Sequence, residues 1–215
     1  MDPFDARAVR AAYDTVAEEY AAVFADDLDR LPVDRAVLDA ALERLDRGGL
    51  TLDLGCGPGQ VAQYLADRGS EVIGLDSSSH MVRVAATRTN RVRFTCGDIR
   101  SLPFRAQSCR GAVAFYSIQH LPRSDLESAL TEMHRVLTQD GLLVVATHLG
   151  VGEISIQEFL GHEIEPVGGT FYGETELRDA LDRSSFSVER AWHRDPLPHE
   201  HQSQRIYLLA RRVDR

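Results

Sequence analysis

The sequence predicts an α/β domain in which a doubly wound, mostly parallel seven-stranded sheet is preceded by helices and closed by an antiparallel pair of strands. Three observations lead there. Short apolar runs alternate with helical patterns through the middle of the chain, a glycine-rich turn joins the first run to a helix, and the last two runs have no helix between them.

From Val9 to Phe24 the apolar residues Val9, Ala12, Tyr13, Val16, Tyr20, Val23 and Phe24 recur at steps of three and four, which makes one stripe of an amphipathic helix. Pro32 opens a second helix, and Gly48 and Gly49 end it. The alternation then begins, with strands expected over residues 50–54, 71–75, 91–95, 112–115 and 142–146, each followed by a helical pattern. Residues 150–173 are the least regular part of the chain and are expected to cap a site. A helix over residues 174–182 precedes two strands, 186–192 and 205–210, which pair antiparallel at the sheet edge.

The organisation predicted is one domain over residues 1–215: N-terminal helices in 1–48, a ligand-binding core in 50–147, the cap in 148–173, and the closing helix and strand pair in 174–215. With 215 residues and 43% hydrophobic content, the chain can bury a core without disulfide or metal staples. Acidic residues interrupt the first twenty-five positions (Asp2, Asp5, Asp14, Glu18, Glu19), so neither a signal peptide nor a membrane span is expected there. Cys56, Cys96 and Cys109 show no C-x-x-C spacing, which suits a reducing, cytoplasmic location and predicts no disulfide. A net charge of −9 opposes binding to nucleic acid. All 24 cationic residues are arginine, which removes the lysine that a Walker loop, a pyridoxal Schiff base or a lysine nucleophile requires.

The chemistry concentrates at Thr51-Leu52-Asp53-Leu54-Gly55-Cys56-Gly57-Pro58-Gly59-Gln60, a turn at the carboxyl edge of the predicted Rossmann-like sheet. Gly55, Gly57 and Gly59 let the backbone turn sharply and come close to a ligand. Gln60 stands where a dinucleotide fingerprint needs its last glycine, which weakens a hydride-transfer reading. Asp76 ends the second strand, where it can accept from both ribose hydroxyls of an adenosine or, with Ser77, Ser78 and Ser79 following, start a helix. Cys96-Gly97-Asp98-Ile99 ends the third strand and offers a carboxylate for an adenine amine and an apolar cover for its ring. Asp53, Asp76 and Asp98 together suit a cationic ligand better than a pyrophosphate.

The segment Asp53-Leu54-Gly55-Cys56-Gly57-Pro58-Gly59 resembles the signature of class I S-adenosylmethionine (SAM)-dependent methyltransferases, with Gly74-Leu75-Asp76, Gly97-Asp98 and Leu102-Pro103-Phe104 in the expected order. Residues 114–121, Arg135-Val136-Leu137 and Gly141 to Val145 extend the likeness, which covers residues 50–147 and is nearest to the small-molecule, ubiquinone- and menaquinone-type branch. The resemblance implies SAM as cofactor. It places Gly55, Cys56, Gly57, Phe115 and Tyr116 at the methionine moiety, Asp76 and Ser77 at the ribose, Asp98 and Ile99 at the adenine, and Met81 near both. Cys56 between two glycines is explained by the small space of the turn rather than as a nucleophile. Tyr13-Asp14-x-x-Ala17-x-x-Tyr20 resembles the N-terminal pattern that closes over SAM in such enzymes, although both tyrosines can equally fill the core.

Methyl transfer from a sulfonium needs alignment and exclusion of water, with a base optional. His120, one helical turn past the fourth strand, is the first candidate for removing an acceptor proton, with a capping role as its alternative. His148 follows the fifth strand, and His162 lies in the irregular segment; either can face the acceptor. Pro198-His199-Glu200-His201 invites a metal reading, but no third ligand is fixed by spacing and no metal is expected. The activity expected is methylation of an oxygen or nitrogen of a small metabolite, natural-product biosynthesis being one setting for it. The alternatives are an NAD-dependent oxidoreductase and a SAM-binding protein without transfer activity.

Overall fold

The computed structural model describes residues 2–45, 48–198 and 200–214. Helices α1 (Ala6–Phe24) and α2 (Pro32–Leu42) lead into β1 (Leu50–Leu54), α3 (Gln60–Asp67), β2 (Glu71–Asp76), α4 (Ser79–Arg88) and β3 (Arg93–Cys96). Then come β4 (Cys109–Phe115), α5 (Leu126–Val136), β5 (Leu137–Leu149), β6 (Glu153–Phe159), β7 (His162–Thr170), α6 (Glu174–Arg183), β8 (Phe186–Arg194) and β9 (Gln204–Arg212). Seven strands form one sheet in the order β3-β2-β1-β4-β5-β9-β8. The first five are parallel, and β9 runs antiparallel to both β5 and β8.

The central strands are apolar on both faces because helices cover both. In β5, Leu143 and Val145 face a layer with Leu130 and Met133 of α5 and Leu177 of α6, whereas Leu142, Val144 and Ala146 face Val37 and Leu38 of α2 and Val61 and Leu65 of α3. This parity is the period-two rule of a strand buried on both sides. Helix α1 lies outside these layers. Asp5 caps it by accepting from the Arg7 N–H at 2.7 Å, and its Ala17 and Ala21 pack against Met81 and Val84 of α4.

The expectation of an irregular segment over 150–173 is corrected: β6 and β7 form a separate antiparallel hairpin. Its two-residue loop is Leu160-Gly161, with φ of 51° and 80°, the left-handed pair that a tight hairpin requires. Alternation of Ile154 and Ile156 with polar residues signalled β6, but Glu153, Gln157 and Glu158 diluted it below the apolar content of the buried strands. The second helix also ends earlier than Gly48, at Leu42.

The hairpin packs on α1, where Val167 meets Val9 and Ala12. A Cβ on Gly168 would lie 2.5 Å from the Phe4 ring, so this close approach needs glycine. Helix α1 and the hairpin thus roof the carboxyl edge of the sheet, where the turns after β1 to β5 converge.

Candidate functional site

Beneath that roof lies a cavity of about 580 Å³. The turn after β1 forms one wall. Gly55 and Gly59 hold φ of +77° and +85°, and a Cβ on Gly55 would lie 2.3 Å from the Ser117 Cβ. The Gly57 N–H donates to the Asp76 carboxylate at 2.8 Å, and the Ser78 N–H donates to its other oxygen at 2.8 Å. The cap of α4 is Ser78, whose hydroxyl accepts from the Met81 N–H, so Asp76 is not the helix cap.

Burial raises the pKa of Asp76, a shift its backbone donors partly oppose and the neighbouring Asp14 reinforces. Asp53 is pushed up to about 7 by burial, with Asp76 adding to the rise and the Ala62 N–H opposing it. Burial and these two carboxylates also raise the Cys56 thiol, so Cys56 stays protonated and a poor nucleophile. Four buried polar atoms on residues lining the cavity have no hydrogen-bond partner among the described residues: Asp53 Oδ2, Gln60 Oε1, Ser117 Oγ and Gln119 Oε1.

Gly97, Asp98 and Ile99 line the same cavity with Met81 and Ser77. Asp98 is engaged by Arg100, whose Nη2 is 2.7 Å from Oδ2 and whose N–H is 2.8 Å from Oδ1. Burial works to raise the Asp98 pKa, but these donors outweigh it and hold the carboxyl below its usual range. Arg100 also reaches Asp125 at 2.8 Å. Sequence reasoning had no signal for this clamp beyond the short spacing of the two residues.

Tyr13, Tyr20 and His120 come together under the roof, and Tyr20 reaches the glycine turn, its ring 4.0 Å from where a Cβ on Gly57 would lie. The Tyr13 hydroxyl lies 2.7 Å from His120 Nε2, and His120 Nδ1 lies 3.0 Å from the Gly168 carbonyl. Because a carbonyl only accepts, Nδ1 carries the proton and Nε2 accepts from Tyr13. The hairpin also fixes the turn that carries His120, since Thr170 donates to the Leu121 carbonyl at 2.9 Å. Burial lowers the His120 pKa, against the opposing bond to Gly168, and raises both tyrosines, Tyr20 to about 12. Tyr13 and Tyr20 pack edge to face, 5.8 Å between ring centroids, and each meets Phe159 of β6.

The far wall is polar. Burial, then Arg205 and His201, push His148 down to about 3, so its imidazole is neutral, and Nδ1 lies 2.7 Å from the Ser203 hydroxyl. Tyr116, at φ +53°, directs its hydroxyl to Asp34 Oδ1 at 3.1 Å and to the Tyr207 hydroxyl at 2.8 Å. Asp34 is 1% exposed and also receives the Tyr207 hydroxyl at 2.8 Å and Arg194 at 3.3 Å. Phe115 and Asp34 line the cavity as well, as do His201, Glu200 and Arg205. His162 is instead turned to Glu19, 3.6 Å away, and does not line the cavity. His199 lies outside the described residues. Among the described residues no group of three or more His, Cys, Asp or Glu could hold a metal ion, and no helix is long and apolar enough to cross a membrane. Asp34 and Arg205 carried no sequence signal for the site, whereas Gln60, Ser117 and Gln119 lay inside the glycine turn and the 114–121 motif without a role of their own.

Residues 51–141 match the family model described as a methyltransferase domain. A malonyl-[acyl-carrier protein] O-methyltransferase of Pseudescherichia vulneris is 31% identical over 149 residues, 68% of this chain and 56% of that protein. A demethylmenaquinone methyltransferase of Renibacterium salmoninarum is 31% identical over 148 residues, 64% of this chain and 62% of that protein. The chain therefore spans a little over half the length of these relatives. Among solved structures, the magnesium protoporphyrin IX methyltransferase of Synechocystis with bound SAM superposes with a TM-score of 0.72 at 18% identity, covering 97% of each chain, a likeness of fold.

Proposed function

We propose that this chain, whose core belongs to the SAM-dependent methyltransferase family, moves the methyl group of SAM to an oxygen or nitrogen of a small metabolite and leaves S-adenosylhomocysteine. The observation that carries the reading is the pairing of a glycine cradle with partnerless buried acceptors on the walls of one cavity. An unpaired buried polar group costs about 1–3 kcal/mol, and a cationic ligand rich in donors relieves it. In this reading Asp53 Oδ2 takes the methionine ammonium, Asp76 the ribose hydroxyls, and Met81 and Ile99 the faces of the adenine. Both oxygens of Asp98 already accept from the N–H, Nε and Nη2 of Arg100, so an adenine amine shares that carboxylate with the clamp.

When bound, SAM supplies a methyl group on a positively charged sulfur, which keeps the bonding electron pair as the methyl leaves. The protein aligns the acceptor and excludes water with α1 and the hairpin. Because Tyr13 occupies His120 Nε2, the Tyr13 oxygen is the atom that meets the acceptor. It takes the acceptor proton while its own proton passes to Nε2 of His120, which burial keeps in the neutral, proton-accepting form. The apolar residues of the roof, among them Val9, Ile156, Phe159 and Val167, favour a small, largely apolar acceptor.

Calorimetric titration tests the cofactor half of this reading. S-adenosylhomocysteine should bind and NAD should not, and Asp76→Ala should weaken the binding more than tenfold. Binding of NAD alone would overturn it.

A further inference from the structure

Asp14 lines no part of the cavity, yet it joins the roof to the cofactor wall. Its Oδ1 accepts the Ser78 hydroxyl at 2.6 Å and the His80 N–H at 3.0 Å, and it faces His80 Nδ1 at 3.3 Å. Ser78, fully buried, donates its own N–H to Asp76 Oδ1. A continuous chain of hydrogen bonds thus runs from α1 through Asp14, Ser78 and Asp76 to the N–H of Gly57 in the glycine turn. The residue before Asp14 is Tyr13, bonded to His120, so one turn of α1 is tied to both the cofactor wall and the acceptor wall.

That chain holds two carboxylates on one serine. Asp14 and Asp76 share Ser78, one through its side chain and the other through its backbone, and the like charges oppose each other across it. Helix α1 packs on α4 here through Ala17 and Ala21, with Tyr13 and Tyr20 against the same cluster, and the polar tie adds directional bonds to that packing. A positive charge arriving beside Asp76 offsets the repulsion and tightens the seat; its loss does the reverse.

We infer that Asp14 is a positioning residue which makes closure of α1 sensitive to the charge of the bound nucleoside, holding the roof shut over the cationic substrate SAM and loosening it over the neutral thioether product. The inference rests on the SAM reading of the cavity and extends it to substrate and product discrimination by a residue that touches neither. Reciprocity applies, so the roof in turn favours the cationic ligand by the same factor.

The test uses two ligands of closely related shape, S-adenosylhomocysteine and sinefungin, the latter carrying an ammonium substituent near where SAM carries its positive charge. Hydrogen exchange of residues 9–24 is followed at pH 8 with each ligand at saturation. In the unaltered protein sinefungin should slow exchange roughly tenfold more than S-adenosylhomocysteine, within the span usual for coupled sites. Asp14→Asn keeps an acceptor for Ser78 and His80 but removes the charge, and the two ligands should then protect α1 equally. Dissociation rates give a second readout, with the sinefungin to S-adenosylhomocysteine ratio collapsing in the same variant. Equal protection by both ligands in the unaltered protein, or a difference that survives in Asp14→Asn, would overturn the inference and leave the SAM reading standing. Failure of the folded protein to bind either ligand would overturn both.

Discussion

Replacing Tyr13 with Phe removes one oxygen from the Tyr13 to His120 contact and little else. The ring stays between Tyr20 and Phe159, with centroids at 5.8 and 6.2 Å, so the aromatic packing of the roof is kept. Two effects follow. His120 Nε2 loses the partner at 2.7 Å, and an enclosed acceptor left unpaired costs about 1–3 kcal/mol. For a chain of this size that lowers Tm by roughly 2–4 °C per kcal/mol. The acceptor also loses the atom that takes its proton, and positioned proton transfer contributes about 10²- to 10⁴-fold. The turnover number should therefore fall at least about 10²-fold, while the affinity for S-adenosylhomocysteine stays within about twofold, because the lost interaction belongs to the acceptor side. The assay is single-turnover formation of S-adenosylhomocysteine against pH. In the unaltered protein the rate should rise with pH as His120 loses its proton and level off below the ordinary histidine range, since burial lowers that pKa. Unchanged turnover in a folded Tyr13→Phe protein, or equal losses in rate and nucleoside affinity, would refute the proton path.

Asp53 makes a pH prediction of its own. Its pKa, raised by burial to about 7, lies above that of an unfolded aspartate, so its contribution is fully present in acid and is lost as pH rises through 7. The ligand-free protein should lose that increment of Tm between about pH 4 and 7, and Asp53→Asn should flatten this limb. Ligand binding through the Asp53 carboxylate runs the other way, so S-adenosylhomocysteine affinity should climb through pH 7 in the unaltered protein and not in the variant. A Cβ on Gly55 would lie 2.3 Å from Ser117 at a φ of +77°, so Gly55→Ala should abolish nucleoside binding, read by calorimetry, while the circular dichroism stays native. Tyr116→Phe withdraws a hydroxyl from buried Asp34 and Tyr207 and should cost about 1–3 kcal/mol in urea unfolding.

The middle of the parallel sheet was legible because β4 and β5 are buried on both faces and carry apolar runs, as at Leu142 to Ala146. The glycine turn was legible for a different reason: positive φ at three glycines within five residues restricts the residue type at each position. The hairpin was not, since β6 exposes most of its length and carries Glu153, Gln157 and Glu158 among its few isoleucines; Leu160-Gly161 was the available marker. The pairing of Tyr13 with His120 joins residues 107 positions apart, and that of Asp34 with Tyr207 joins residues 173 apart. No local pattern encodes such contacts. They arise because α1 and α2, which precede the sheet, fold back over its carboxyl edge and over the face covered by α3. The Arg100 clamp on Asp98 escaped notice because an adjacent cation reads as solvated surface unless the turn between them is known.

Transfer of a labelled methyl group bears most directly on the account. The protein is incubated with SAM carrying a carbon-13, deuterated methyl and with the small-molecule fraction of a cell extract, and the products are resolved by mass spectrometry. One or a few low-mass compounds should gain the whole labelled methyl, matched by an equal amount of S-adenosylhomocysteine, and Asp76→Ala should suppress both. Tight nucleoside binding with no label in any small molecule would contradict the account and leave the cavity as a binding site alone.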